Sequence, residues 1–227
     1  MGVLYPQTCC FCGTLCGKYV CSECAKTIRY IREPVCKKCG KPISTDEDRF
    51  CFDCSKQEKF YEQGKSLWLY EGKVRWSIYQ FKYHNRRMHG VYFAGEMYRC
   101  FREQIREWEI DVIIPVPLHS QRKRERGYNQ AEIVAKKLGR RMKILVDTKA
   151  VIRKKKTTAQ KELSNRERAE NMQGAFEVVR MKKNVKNILI IDDIYTTGNT
   201  INELSKELQK KGDFRIFFLT ISIGQGF

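Results

Sequence analysis

The stretch from residue 188 to residue 200 reads Ile188-Leu-Ile-Ile-Asp-Asp-Ile-Tyr-Thr-Thr-Gly-Asn-Thr200. Its continuous apolar beginning predicts a strand that is buried on both faces, as in a parallel sheet covered by helices. Two carboxylates, Asp192 and Asp193, end the predicted strand, and a short loop with hydroxyl groups leads into a helix. Because ligands bind at the carboxyl ends of strands in open α/β sheets, and because helix N-termini attract anions, this order of elements predicts a phosphate site.

Strands and helices alternate along much of the remaining chain. Predicted strands cover residues 66–70, 111–117, 175–179 and 215–223, an extended segment covers 144–152, and predicted helices cover 73–83, 91–107, 129–138, 164–172 and 199–211. This alternation predicts an α/β domain with a mainly parallel sheet over residues 61–227. Residues 1–60, which precede it, are expected to form a separate cysteine-rich module.

The opening stretch resembles the phosphoribosyl pyrophosphate (PRPP) motif of type I phosphoribosyltransferases. That motif has four apolar positions, two acids, two apolar positions and Thr-Thr-Gly-x-Thr, and every position matches here. The resemblance implies that Asp192 and Asp193, the candidate catalytic pair, contact the ribose hydroxyls of PRPP. It also implies that five loop residues cradle the 5′-phosphate: Thr196, Thr197, Gly198, Asn199 and Thr200. Adjacent carboxylates beside a phosphate suit a Mg2+ ion held through water.

A second polar segment follows the predicted strand at residues 111–117 and reads Leu118-His-Ser-Gln-Arg-Lys-Arg-Glu-Arg-Gly127. We expect a loop here, in which backbone amides and cationic side chains would hold a pyrophosphate. Its candidate ligands are Ser120, Arg122 and Lys123. Farther along, the polar and basic segment of residues 153–176 is typical either of a mobile loop that folds over bound phosphates or of a solvated surface.

Ten of the 11 cysteines lie within the first 54 residues, and the chain lacks the pattern of a secretory signal. Clustered cysteines in a cytosolic protein favour metal binding over disulfides. Four C-x2-C pairs supply eight thiolates, enough for two tetrahedral Zn2+ sites. The pairs are Cys9/Cys12, Cys21/Cys24, Cys36/Cys39 and Cys51/Cys54. The spacing leaves open a sequential grouping, which the short loops favour, and a crossed grouping of alternate pairs.

The formal net charge is +18, and residues 119–186 alone hold 21 basic and 7 acidic side chains. An excess of this size indicates a polyanionic partner, either nucleic acid or a phosphate-rich small molecule. No run approaches the roughly 20 apolar residues of a membrane span, so we expect no membrane insertion. Aromatic side chains that could stack on unpaired bases, or else lie in the core, are Trp76, Tyr79, Tyr83, Tyr92 and Tyr98.

Features beyond the PRPP motif narrow the comparison to one family. They are the paired C-x2-C module, Phe81-Lys-Tyr83, Arg126-Gly-Tyr-Asn-Gln130, and the segment from Arg153 to Phe176. Together they resemble the ComF family of competence proteins. The resemblance implies a double zinc-ribbon-like N-terminus and a type I phosphoribosyltransferase-like domain. It also implies a cytoplasmic protein that works at the inner face of the membrane, with a DNA-uptake helicase as partner.

Three functions fit this resemblance. The first is an accessory protein for uptake of single-stranded DNA in bacterial transformation, which binds single-stranded DNA and, with Mg2+, PRPP. The second is an active phosphoribosyltransferase with an unidentified acceptor, and the third is a non-catalytic scaffold for the uptake helicase. The intact carboxylates and Thr-Thr-Gly-x-Thr loop favour a phosphate pocket that is still in use.

Overall fold

The computed structural model describes residues 7–45, 47–155 and 172–224. Within them, a five-stranded sheet has all its strands parallel, as the sequence predicts. Its spatial order is β1 (Gln63–Leu69), β7 (Arg215–Ile223), β6 (Asn187–Tyr195), β2 (Val112–Pro115) and β3 (Leu145–Val146). The sheet forms because long apolar runs in β6 and β7 can be covered by helices on both faces.

Helices cover both faces of this sheet. In chain order, the helices of the described residues are α1 (Ser22–Thr27), α2 (Phe52–Lys56), α3 (Gly72–Tyr83), α4 (Met88–Glu107), α5 (Ser120–Arg126), α6 (Gln130–Met142) and α7 (Asn199–Gln209). Alternate side chains of β6 point to opposite faces. Leu189 and Ile191 pack with α3, α4 and α6, whereas Ile188 and Ile190 pack with α7.

The connections create a crevice at the carboxyl ends of β2 and β6. The chain leaves β2, crosses the first face through α6 and enters β3 at the edge of the sheet. It leaves β6 in the other direction, crosses the second face through α7 and enters β7. The strand order therefore reverses between β2 and β6, and ligands of open α/β sheets bind at such a point.

Two predicted segments differ from the structure, and a third is not tested by it. The extended segment at residues 144–152 is two strands, β3 and β4 (Val151–Arg153), and β4 pairs antiparallel with β5 (Phe176–Val178) outside the main sheet. The loop expected after residue 118 contains α5, which begins after His119 and ends at Gly127, whose φ of 73° suits a glycine. The predicted helix at residues 164–172 lies outside the described residues, except for Met172.

The cysteine-rich module packs directly against the α/β domain. Its first half places Phe11 edge-on to Trp68 of β1, with ring centroids 5.4 Å apart. Its second half contacts the edge strand through Gly64, whose backbone N–H donates to the carbonyl of Lys38 at 2.8 Å. The domain boundary expected at residue 60 stays a prediction. The hydrophobic core on each face of the sheet contains residues from both sides of that position. Across the described ranges, no helix has both the length and the apolar composition that crossing a bilayer requires.

Candidate functional site

Two carboxylates stand at the floor of the crevice. β6 continues through both of them to Tyr195, and Asp192 is in register with Thr220 of β7, so the strand extends two residues beyond the carboxylates at which the sequence predicts its end. The backbone N–H of Asp193 donates to Asp192 Oδ1 at 2.8 Å. Lys82 Nζ, at the end of α3, lies 2.9 Å from Asp193 Oδ1, and these two side chains are only 17% and 14% exposed.

The environment of Asp192 makes its carboxylate difficult to ionise. Burial and the negative charge of Asp193 raise the pKa of Asp192 to about 7, although the positive charges of Lys82 and Arg153 oppose that shift. A buried carboxylate with a pKa near neutrality is poorly stabilised by the protein. A bound cation or hydroxyl donor would compensate its charge. The crevice therefore holds a carboxylate whose charge is compensated only in part by the protein.

The loop between β6 and α7 has the features of a phosphate cradle. Gly198 adopts a φ of 81°, the left-handed region that favours glycine, and α7 begins at Asn199. Thr197 Oγ1 and Asn199 Nδ2 are both buried and have no hydrogen-bond partner among the described residues. Unpaired buried donors cost stability, and beside a helix N-terminus such donors can pair with an anionic ligand.

Basic side chains line the opposite wall. Burial lowers the pKa of Arg153 on β4, and the positive charges of Arg122 and Arg126 act in the same direction, while the carboxylate of Asp192 opposes it. The guanidinium of Arg122, which the sequence predicts as a ligand, therefore lies within electrostatic range of Arg153. Lys123 instead lies 3.7 Å from Glu132 of α6 and is exposed, as is Ser120.

The structure adds Lys82 and Arg153 to the residues that the sequence predicts for this site. Both belong to motifs quoted for the family resemblance, but neither motif reveals which side chain faces the carboxylates. The two sequence motifs of α3 and α5–α6 meet in space: the Tyr128 hydroxyl donates to the Phe81 carbonyl, and Gln130 Nε2 donates to the same oxygen at 3.4 Å. This contact fixes the end of α3, and with it Lys82.

The eight cysteines form two groups in the sequential order. Within each group the four Sγ atoms lie within 4.8 Å of one another. The groups are Cys9, Cys12, Cys21 and Cys24, and Cys36, Cys39, Cys51 and Cys54.

The donor set of each group fits zinc. A tetrahedral Zn2+ with Zn–S bonds of about 2.3 Å has S–S edges of about 3.8 Å. The Sγ atoms of Cys12 and Cys21 are 3.7 Å apart, and those of Cys39 and Cys51 are 3.6 Å apart. Gly40 closes the knuckle of the second group at a φ of 74°. The geometry supports two Zn2+ sites.

Comparisons with known proteins agree with this architecture. The double zinc ribbon domain family matches residues 1–55. The chain is 33% identical over 162 residues to competence protein F of Haemophilus influenzae, an alignment that covers 69% of this chain and 71% of that protein. The chain belongs to the competence protein F family.

Other relatives match over shorter segments. Identity is 28% over 153 residues to competence protein ComFC of Bacillus subtilis, covering 66% of this chain and 59% of that protein. It is 34% over 102 residues to DNA utilization protein YhgH of Escherichia coli, covering 45% of this chain and 44% of that protein. Among solved structures, a purine phosphoribosyltransferase from Pyrococcus horikoshii aligns with 58% of this chain and 86% of its own, at a TM-score of 0.35 and 17% identity.

An aromatic stripe lies beside the crevice of this family member. Trp76, Tyr79 and Tyr83 are 38%, 47% and 58% exposed along α3, so these three are surface residues. The Arg126 guanidinium lies 5.0 Å from the centroid of the Tyr83 ring. Tyr92, by contrast, stacks on Trp68 at 6.2 Å and belongs to the packing between the zinc module and the sheet.

Proposed function

We propose that the crevice between β2 and β6 binds PRPP in a Mg2+-dependent manner. The observation that carries the proposal is a pair of buried donors beside the N-terminus of α7, Thr197 Oγ1 and Asn199 Nδ2, which have no partner in the part of the chain that the structure describes. A phosphate group offers only acceptors at neutral pH, so it complements both donors and the positive N-terminus of the helix dipole.

The remaining groups divide between the ribose and the pyrophosphate. Asp192 and Asp193 are suited to accept hydrogen bonds from the ribose hydroxyls or to hold Mg2+ through water. When bound, Mg2+ would neutralise charge on the pyrophosphate. Lys82 holds Asp193 in place by a 2.9 Å ion pair, and Arg153 and Arg122 supply positive charge on the pyrophosphate side.

The relatives named for competence and for DNA utilization suggest a role in handling DNA. We propose that single-stranded DNA lies across the aromatic stripe of α3, with bases stacked on Tyr79 and Tyr83 and phosphates near α5. Exposed aromatic rings next to a basic helix provide the two interactions that single-strand binding requires. A DNA-uptake helicase is the proposed protein partner.

Calorimetric titration with PRPP tests the first proposal. The wild-type chain should bind PRPP with Mg2+ and lose most of that affinity in EDTA. Asp193→Asn should weaken binding at least about tenfold, because one charged ligand is lost. Asp213→Asn is the matched control, since Asp213 is exposed at the amino end of β7, across the sheet from the crevice. Absence of binding by the wild type, or equal binding by the Asp193 variant, would refute the proposal.

The same sample separates binding from catalysis. Binding alone leaves PRPP intact, whereas transfer of its phosphoribosyl group to an acceptor releases pyrophosphate. A coupled enzymatic assay for pyrophosphate, run with PRPP, Mg2+ and single-stranded DNA, should detect no pyrophosphate release if the crevice only binds its ligand. Sustained release that disappears in Asp193→Asn would instead assign a phosphoribosyltransferase activity to this chain.

A further inference from the structure

A continuous set of contacts connects the second zinc group with the loop between β6 and α7, residues 196–198, which we call the phosphate loop. Tyr61 follows the last cysteine of that group by seven residues, and its hydroxyl lies 4.0 Å from Cys54 Sγ. The same hydroxyl lies 2.8 Å from the hydroxyl of Tyr195, the last residue of β6. Both tyrosines are at most 2% exposed, and their hydroxyl groups therefore depend on each other for hydrogen bonding.

The aromatic packing leaves these two rings little freedom. Phe218 of β7 stacks on Tyr195 at 5.0 Å and meets the Tyr61 ring edge-on at 4.9 Å. Side chains held between close-packed rings keep one rotamer. The position of the Tyr195 hydroxyl is thus set by the zinc module on one side and by the sheet on the other.

Tyr195 in turn forms the floor beneath the phosphate loop. A Cβ atom added to Gly198 would lie 2.3 Å from the Tyr195 hydroxyl oxygen, so the loop backbone rests directly on that group. The carbonyl of Gly198 accepts the first helical hydrogen bond of α7, from the Asn202 N–H at 2.8 Å. The distance between Gly198 and the Tyr195 hydroxyl therefore determines the positions of the two buried donors, Thr197 Oγ1 and Asn199 Nδ2.

The segment between the second zinc group and Tyr61 also holds the first turn of α7. Phe60 N–H donates to Asn202 Oδ1 at 2.8 Å, and Asn202 Nδ2 donates to the carbonyl of Glu58 at 3.0 Å. Asn202 is thus bound on both its amide atoms by the exit from the zinc module.

We infer that the second zinc ribbon, the part of the module that contains Cys36 to Cys54, positions the phosphate loop. It acts through the Tyr61–Tyr195 hydroxyl pair and through the two hydrogen bonds of the Asn202 side chain. This inference rests on the proposed function of the crevice for its consequence, a preformed PRPP site. The first ribbon instead contacts α3, α4 and β1, as in the approach of Gly13 to Trp76 and the bond from the Tyr30 hydroxyl to Glu96.

Tyr61→Phe tests the inference, with Tyr30→Phe as the matched control. Each substitution removes one tyrosine hydroxyl that joins a ribbon half to the α/β domain. In Tyr61→Phe, we expect amide hydrogen exchange in the peptide of residues 196–204 to rise at least about threefold. The PRPP affinity should fall about fivefold, by loss of one buried hydrogen bond. Tyr30→Phe should leave both quantities at their wild-type values.

A double variant adds a second arm. If the two hydroxyls act as a pair, Tyr61→Phe combined with Tyr195→Phe should lose no more PRPP affinity than the more affected single variant. Unchanged exchange over residues 196–204 in Tyr61→Phe, or an equal rise in Tyr30→Phe, would overturn the inference. Failure of the wild type to bind PRPP would overturn the proposed function, and the exchange measurement would still decide whether the ribbon holds the loop.

Discussion

Replacing Asp192 by asparagine should stabilise the free protein. Asn is nearly isosteric with Asp, and its Oδ1 can still accept the hydrogen bond from the Asp193 N–H. The wild-type carboxylate carries a cost, because burial and the charge of Asp193 raise its pKa from 3.8 to about 7. A carboxyl whose pKa is higher in the folded state binds more protons there, so the stability that it contributes falls as the pH rises from about 4 to about 7.

The magnitude follows from the size of the pKa shift. Each pKa unit corresponds to about 1.4 kcal/mol, so the shift to about 7 sets an upper limit of about 4 kcal/mol above neutral pH. The carboxylate reaches solvent at the crevice, and screening there reduces the expected gain of Asp192→Asn to about 1–3 kcal/mol. The gain should be larger at pH 8.5 than at pH 6 by about 1 kcal/mol, since the wild-type group is still partly protonated at pH 6.

Urea unfolding of the zinc-loaded chain at both pH values measures this difference. Asp213→Asn, which changes an exposed carboxylate, should give no pH-dependent gain. The same Asp192 variant should bind Mg2+-PRPP more weakly than the wild type. A variant that is no more stable than the wild type at pH 8.5, or that shows the same gain at both pH values, would refute the assigned electrostatics of the crevice.

Four further outcomes are expected. Gly198→Ala should abolish PRPP binding in calorimetry, because its φ of 81° disfavours any side chain and the added Cβ would meet Tyr195. Lys82→Met removes a cation that lowers the pKa of Asp192 and should move the pH midpoint of PRPP binding upward, which a pH series of titrations checks. Tyr83→Ala should weaken binding of fluorescent oligo(dT) about fivefold in anisotropy, whereas Phe52→Ala, an exposed aromatic in α2, should not. Metal analysis should find about two zinc ions per chain, and a value near one would exclude one of the two cysteine groups.

The sequence predicts the parts of this fold that depend on local pattern. The apolar run of β6 specifies a buried parallel strand, and the C-x2-C spacing specifies two zinc groups whose short loops close in sequential order. Helix α5 is missed because all seven of its residues are polar, so no apolar periodicity marks them. What reveals α5 is its ends, a capping His119 and a left-handed Gly127.

The contacts that complete the site are long-range, and a single sequence holds no direct signal for them. Lys82 reaches Asp193 only because α3 crosses the sheet from β1 and is fixed at its end by the loop before α6. The pair of Tyr61 and Tyr195 joins residues that are far apart along the chain. Such contacts follow from topology, and they become predictable only when the strand order is known.

The most direct test of the PRPP site is a crystal structure of the chain with PRPP and Mg2+. We predict the 5′-phosphate within hydrogen-bonding distance of Thr197 Oγ1 and Asn199 Nδ2, with the ribose hydroxyls or the metal facing Asp192 and Asp193. PRPP bound at another surface, or a crevice whose two buried donors stay unpaired at saturating ligand, would contradict the account.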